Sequence, residues 1–458
     1  MPDSSANSSS ESAAFLERYP ETEAVDVLLA DLSGVIRGKR YPVEDLEKVM
    51  QDGVAFPASV FMLDTMGHSH DPGGKGFSDG DPDCTAHPLP GSLVPVPWSN
   101  TPLAQLLLTF RNAEGDPLYF EPRNILARVL ERIRELDLTP VVAFELEFYL
   151  LDRERLEGNA PQPPISPLTG LRESGTQVYG MEQVDGFSGL LRDISRACEA
   201  QNIPTGAMSA EYAPGQFEIN LRHVDDALKA ADDCVLFKRA VKGVARRHGH
   251  KATFMAKPYP EEAGSGMHMH VSLLDKDGRN VLDGGEDLSS PMLRHAIGGL
   301  LDLLPQSMAF LAPNVNSFRR FAPNIFVPVT RSWGFENRSV AMRVPLGPAN
   351  ARRIEHRVAG ADANPYLALA SMLAGMHHGI VNEIDPGTPH EGNASEKFDT
   401  VLPMRPRRAI EKMRRSKILP DYLGADYPSL YAECKEAEYD EFDWLISPQE
   451  YEWYLQTD

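Results

Sequence analysis

Cysteine is scarce in this chain: Cys84, Cys198, Cys234 and Cys434 are the only four, and no two of them form a Cys-x-x-Cys pair. That spacing argues against a disulfide framework and a thiolate zinc site and fits a reducing compartment, so a cytoplasmic protein is expected. No run of about 18 apolar residues is present to span a bilayer, and no membrane role is expected. Positive charge is in deficit, with 45 Lys and Arg against 66 Asp and Glu and a net charge of -21. Nonspecific nucleic-acid affinity comes mainly from neutralising phosphates, so no nucleic-acid partner is expected. A Gly-x-x-x-x-Gly-Lys-Ser/Thr loop, a Gly-x-Gly-x-x-Gly turn and any internal repeat are absent as well. A nucleotide must therefore be held some other way.

At 458 residues the chain exceeds the size at which one core keeps growing. Residues 1–14 are Ser-rich without a signal-peptide pattern and read as a disordered tail. Ala24–Ala30 and Val35–Tyr41 read as a hairpin, the Pro- and Gly-dense stretch 57–102 as one long loop, and Gln105–Arg111 as a returning strand, giving a small, mainly β domain over 15–118. A larger domain over 119–458 opens with a helix from Asn124 to Leu136 and carries apolar strands at 140–151, 214–222, 251–257 and 267–274. Helical stretches at about 186–201, 225–249 and 291–311 separate them, while 153–185 and 386–408 read as long surface connections. The class is α+β.

The chemistry concentrates on strands. Lys257 to Ser272 joins a glycine turn to a strand on which His268 and His270 face one way and Met267, Met269 and Val271 the other. Glycines there let backbone N–H groups approach an anion closely. Glu145 and Glu147 share one face of an apolar strand, about 6–7 Å apart by strand geometry, and at an effective dielectric of 20 repel by roughly 2.5 kcal/mol. The design recurs with Glu218, seven residues after Glu211, and with Glu355 in Arg353-Ile354-Glu355-His356-Arg357. Five carboxylates and an imidazole on short strands favour hard-cation sites of Mg²⁺ or Mn²⁺ type over zinc. Arg320, Arg338, Arg343, Arg353 and Arg357 surround the last acidic strand in sequence, and guanidinium forks suit phosphates and carboxylates. A metal-dependent hydrolase or a non-catalytic relative stays open on these residues alone, although a hydrolase needs no such set of arginines beside this glycine turn.

From about residue 20 onward the chain resembles the glutamine synthetase family, through Lys257–Ser272, Glu145-Leu146-Glu147-Phe148, Asn337-Arg338-Ser339 through Arg343, and Arg353–Arg357, all in the family's order. The resemblance implies a small N-terminal β-grasp domain, a large catalytic domain with a curved antiparallel sheet, and a dodecamer of two hexameric rings with the active site between neighbouring subunits. It implies two or three Mg²⁺ or Mn²⁺ ions per site, with Glu147, Glu211 and Glu218 on one and Glu145, His268 and Glu355 on a second. Arg320 and Arg357 would grip the carboxylate of L-glutamate with Gly264 against its amino group, and Arg338 would act on the transferring phosphoryl group. Lys257, Ser265, His270, Ser272, Arg343 and Arg353 would line the site of ATP, the co-substrate.

Two departures bear on the amine. Ammonia-using members carry an acid in Phe-Asp-Gly-Ser-Ser, where this chain has Phe56-Pro57-Ala58-Ser59-Val60, and a flap Glu that is Phe326 here. Losing two carboxylates and gaining an apolar ring disfavours ammonium and suits a larger alkyl amine. The wording of Asp31–Gly34, Phe56–Phe61 and Val358–Tyr366 resembles the γ-glutamylpolyamine synthetase branch, so Ser59 and Phe326 become candidate amine-pocket residues and a di- or polyamine such as putrescine, cadaverine, spermidine or spermine the expected acceptor. A monoamine such as ethanolamine, or ammonia, is the alternative. A distal ammonium would call for an acid, for example from the Asp64–Asp83 loop. Ala263 replaces a usual Asn, and Phe398 stands where adenylylated relatives carry Tyr.

Overall fold

The computed structural model describes residues 4–176, 178–285 and 288–457. A first sheet is built from β1 (Ala24–Ala30), β2 (Ile36–Pro42), β3 (Val54–Pro57), β4 (Asp83–Pro88), β5 (Val94–Pro95) and β6 (Leu103–Arg111). Its order is β2-β1-β6-β4-β3, with β5 on β6, and β1 runs parallel to β6 while the other pairs are antiparallel. β1 and β6 are buried on both faces, with Asp26 and Gln105 paired to Arg239, and sit centrally.

Two expectations differ from what is found. A helix, Ser4–Arg18, occupies most of the stretch read as a disordered tail. Its last turns have anchors: Phe15 is buried with its ring 4.9 Å from Tyr19, and the Glu11 carboxylate accepts from the backbone N–H groups of Gly91 and Leu93 at 3.0 and 3.3 Å. The 57–102 loop is interrupted by β4 and β5, whose sequences lack apolar alternation and are held by backbone pairing to β3 and β6.

The second sheet contains β7 (Thr139–Leu151), β8 (Thr205–Ala210), β9 (Gln216–Leu221), β10 (Lys251–Thr253), β11 (Met267–Leu274), β12 (Trp333–Phe335), β13 (Met342–Val344) and β14 (Ile354–His356). The order is β12-β13-β14-β11-β7-β9-β8, with β10 also on β7, and only the β12–β13 pair is parallel. The long strand β7 is the organiser: it pairs with β11 through 139–146, with β9 through 145–149 and with β10 through 149–151. One face of this sheet is apolar apart from His356, which is buried between Met269 and Met342. Val142, Phe144, Leu146, Phe148, Met267, Met269, Val271, Phe217, Ile219 and Ile354 are all buried there, and the helices Pro122–Arg134 and Ala227–Arg247 pack against β7. Packing one face this densely fixes the register, because a slip of one residue would exchange the faces.

Two further helices, Pro291–Leu311 and Pro365–Val381, lie against each other with glycine at the contact. A Cβ on Gly299 would fall 2.1 Å from the Gly375 carbonyl oxygen, and one on Gly379 2.0 Å from that of His295. The second helix starts at Asn364, whose Oδ1 accepts from the Tyr366 N–H at 2.9 Å while its Nδ2 donates to the Asp31 carbonyl at 2.8 Å, tying the first sheet's hairpin to the helix. No helix among the described residues is long and apolar enough to cross a membrane.

Gly299→Ala is expected to force these helices apart at a cost of about 1–3 kcal/mol. The fall should be seen in the thermal midpoint, whereas Gly347→Ala, where a Cβ meets open space, should leave it unchanged.

Candidate active site

The other face of the second sheet is polar, and strand register assembles it. His268 stands opposite Glu145, Glu218 opposite Glu147, and Glu355 between His270 and Arg343. His268 Nδ1 lies 2.8 Å from Glu145 Oε1 and 3.8 Å from Glu355 Oε1, and His270 Nε2 lies 3.4 Å from Glu145 Oε2. Donor atoms of Glu145, His268 and Glu355 all fall within 4.8 Å of one another, as do those of Glu147, Glu218 and His268. The first trio is a set expected from the sequence. In the second, His268 stands where Glu211 was expected; Glu211 sits on the turn into β9, its N–H donating to the Gln216 carbonyl at 2.9 Å.

Charge on this face is unbalanced. Burial pushes the Glu218 carboxyl up to about 10, reinforced by Glu145, Glu147 and Glu211. Glu211 is raised to about 7, by burial and then by Glu147 and Glu145. Burial would also raise Glu355, but Arg357, His270, His268 and Arg343 outweigh it and hold that carboxyl down to about 2. At Glu145 burial is likewise outweighed, here by hydrogen bonds to His268 and His270 that keep it well below the usual carboxylate range. Carboxylate oxygens converging with an imidazole, in a field that protonates part of the set, fit divalent cations: positive charge here would relieve the repulsion that protons otherwise relieve.

The arginines close around this face. Arg343 donates to Glu355 Oε2 at 2.7 Å and to Glu336 Oε2 at 3.1 Å, and Arg357 donates to Glu355 Oε1. Arg353 Nε reaches His270 Nδ1 at 3.2 Å, and Arg338 donates to the Tyr179 hydroxyl at 3.2 Å. Arg320 is buried: its Nη1 donates to the Val358 carbonyl at 3.2 Å and its Nε has no partner among the described residues. Glycine makes that approach possible. A Cβ on Gly264 would lie 2.6 Å from Arg320 Cγ, and one on Gly266 3.3 Å from both Arg320 Nη2 and His268 Nε2. The glycine turn also feeds the carboxylates directly, since the Gly266 N–H donates to Glu147 Oε2 at 2.9 Å.

Other expected residues are placed less directly. Ser265 Oγ is buried without a partner among the described residues, Ser272 Oγ donates to the Arg352 carbonyl at 2.9 Å, and Lys257 Nζ donates to the Glu262 carbonyl. Ser59 lies on the first sheet's side, with its hydroxyl and N–H both on Asp81, at 2.9 and 3.3 Å. Phe326 is 59% exposed. In the Asp64–Asp83 loop, Asp64, Asp71 and Asp79 are taken up by His70, Ser78 and the Gly76 N–H. Two residues carry a supporting part that was not assigned from the sequence. Asn220 Nδ2 donates to Glu145 at 2.7 Å, and Gln216 Nε2 bridges Glu147 and the Gly264 carbonyl at 3.3 and 3.2 Å. Their places on the acidic strand's polar face were the available signal.

The profile of the glutamine synthetase catalytic domain matches residues 120–454, and the chain belongs to the glutamine synthetase family. It is an ATP-dependent glutamate–amine ligase of that family. It is 46% identical over 443 residues to gamma-glutamylputrescine synthetase PuuA of Escherichia coli (strain K12), covering 97% of this chain and 94% of that one. A glutamate–isopropylamine ligase of Pseudomonas sp is 32% identical, with 96% of each chain covered. Among solved structures, GmaS without ligand superposes with a TM-score of 0.83 at 28% identity, over 97% of this chain and 99% of that one.

The raised carboxyls give a pH signature. Above their ordinary value of 4.5, Glu211 and Glu218 hold protons in the folded chain that the unfolded chain has released. Metal-free stability should therefore fall as pH rises, through about 7 for Glu211 and on toward about 10 for Glu218. Thermal midpoints of chelator-treated protein should decline across this range, Mg²⁺ should restore most at the alkaline end, and Glu218→Gln should flatten the slope.

Proposed function

We propose that the protein joins the γ-carboxylate of L-glutamate to one primary amine of an alkyl di- or polyamine, through γ-glutamyl phosphate. The observation that carries this reading is the convergence of two carboxylate–imidazole trios with a buried, incompletely paired Arg320 behind a glycine wall. A carboxylate is a poor acyl donor until one oxygen leaves as phosphate, and such a face suits that transfer. Glu145, His268 and Glu355 would hold one Mg²⁺ or Mn²⁺, and Glu147, Glu218 and Glu211 another, with His268 reaching both. Bound cations supply neutralisation of phosphate oxygens and polarisation of the transferring group.

The chain's own residues then divide the work. Arg320, held against Val358, presents its remaining N–H groups for the glutamate α-carboxylate. Arg357 serves beside it, and Gly264 leaves room for the amino group. Arg338 makes no ion pair at contact distance among the described residues and could turn from Tyr179 to a developing phosphoryl charge. Arg343, Arg353, His270, Ser272, Ser265 and Lys257 line the approach of ATP.

For the amine, the support is the relative named for γ-glutamylputrescine, the second named for isopropylamine, and the apolar Phe326. The Phe56–Val60 stretch lacks an acid of its own, yet Ser59 holds Asp81 beside it. Asp81 would receive the distal ammonium of a diamine. Ser59 and Asp81 belong to the first sheet's side, and the reading that brings them to the polar face is a ring in which a neighbouring subunit supplies them. A homo-oligomer is supported by the apolar residues left exposed after the helix Tyr427–Asp443, among them Trp444, Leu445, Ile446, Trp453 and Leu455, and two stacked hexameric rings are the arrangement the family resemblance implies. A cytoplasmic setting accords with four free cysteines.

Phosphate release from ATP with Mg²⁺ and L-glutamate, across ammonium, monoamines and polyamines at equal concentration, tests the reading. A requirement for a di- or polyamine, with the γ-glutamyl amide seen by mass, establishes it; turnover with ammonium alone sinks it. Asp81→Asn should raise KM for putrescine about tenfold or more, as loss of a charge-assisted contact would, while altering KM for a monoamine little. Glu355→Gln should abolish turnover with every amine.

A further inference from the structure

A second set of donors lies away from the sheet, where the loop after Met62 meets the helix Tyr427–Asp443. Donor atoms of Asp64, His68 and Glu441 all lie within 4.8 Å of one another. His68 Nδ1 stands 3.6 Å from Asp64 Oδ2 and 3.4 Å from Glu441 Oε2. Both separations exceed the usual 2.7–3.2 Å of a hydrogen bond. They match the edge of a tetrahedron with metal–donor distances of about 2.0–2.1 Å, which is roughly 3.3 Å.

The surroundings hold these donors in place. Asp64 is buried, with His70 Nε2 2.7 Å from Oδ2 and the His68 N–H on Oδ1 at 2.8 Å. A histidine on the same carboxylate fixes its orientation, as outer partners of metal ligands commonly do. On the helix side, Glu438 accepts from the Thr65 N–H and hydroxyl at 3.2 and 2.9 Å and from Lys435 at 2.9 Å. Glu441 follows three residues later on the same helical face. Loop and helix are thus already docked before the last donor pair is used.

We propose that Asp64, His68 and Glu441 bind one Zn²⁺-type ion, oriented by His70, which clamps the loop to the helix Tyr427–Asp443. One imidazole with two carboxylates is a donor set that tetrahedral Zn²⁺ accepts; on the sheet, the five carboxylates gathered about His268 favour harder cations. This site is separate from the sheet's polar face, and it needs no step of the ligase reaction.

The test uses chelator-stripped full-length protein with Mg²⁺ in large excess over the sheet carboxylates. Zn²⁺ is titrated calorimetrically, and Co²⁺ is followed by its visible absorption, which is intense in tetrahedral sites. One equivalent per chain should bind in wild type and in His268→Asn, and should vanish in His68→Ala and Glu441→Gln. His70→Gln should weaken it about 10–100-fold. Glu441 is half-exposed on a helix, so its variant serves as the folded control if His68→Ala is unstable. Loss of the equivalent in His268→Asn alone, or equal stoichiometry in wild type and Glu441→Gln, would overturn the proposal.

Discussion

Mutual repulsion among buried carboxylates is the constraint on which this structure turns. Glu145, Glu147 and Glu218 are drawn together by strand pairing, with Glu211 on the turn beside them, and nothing in their own chemistry favours that closeness. The arrangement stands because the reverse face of the same strands is packed with fully buried Phe, Met, Leu and Ile side chains, whose register cannot shift without exposing them. Apolar packing therefore determines where the charges sit. Arginine then occupies one flank of the cluster, imidazole its centre and backbone N–H groups its other flank.

Much of this was legible in the sequence because period two is hard to disguise. The alternation around Glu145 and Glu147, and around His268 and His270, gave both faces of β7 and β11 correctly; between 139 and 311 the expected helices and most expected strands lie close to those found, while the strand expected at 251–257 stops at Thr253 and the helix Met181–Gly186 falls in a stretch read as a surface connection. What escaped had weak local signals. β12 and β13 are three residues each and exist through pairing alone, and β8, Thr-Gly-Ala-Met-Ser-Ala, has no apolar alternation. The helix Pro365–Val381 is buried on nearly every side, so it shows little amphipathic contrast to read. At the site, side-chain types pointed to metal and phosphate chemistry, but only three-dimensional placement showed His268 reaching both trios and Gln216 and Asn220 holding the carboxylates.

The first sheet's side shows the opposite economy of design. Its acids are spent locally: Asp71 on Ser78, Asp79 on the Gly76 N–H, Asp81 on Ser59, each stabilising a turn in a Pro- and Gly-rich segment. Composition alone could not say that these carboxylates were committed, nor that Asp81 would be held next to the stretch where the family's usual acid is missing. On the proposed reading, selectivity for the amine would be carried by loops and the reacting groups by strands.

Asn364 links these two halves. The same amide that starts the central helix also grips the carbonyl of Asp31, and Gly34 comes so near that a Cβ there would lie 3.2 Å from Asn364 Cα. The hairpin is therefore riveted to a helix whose far end is locked glycine to glycine, leaving little play between scaffold and recognition loops. If the proposed amine pocket holds, the chain from 57 to 83 could be rewritten for a new amine without disturbing the alignment of the sheet's polar face. Such a division would let one ancestral ligase diversify by loop editing alone.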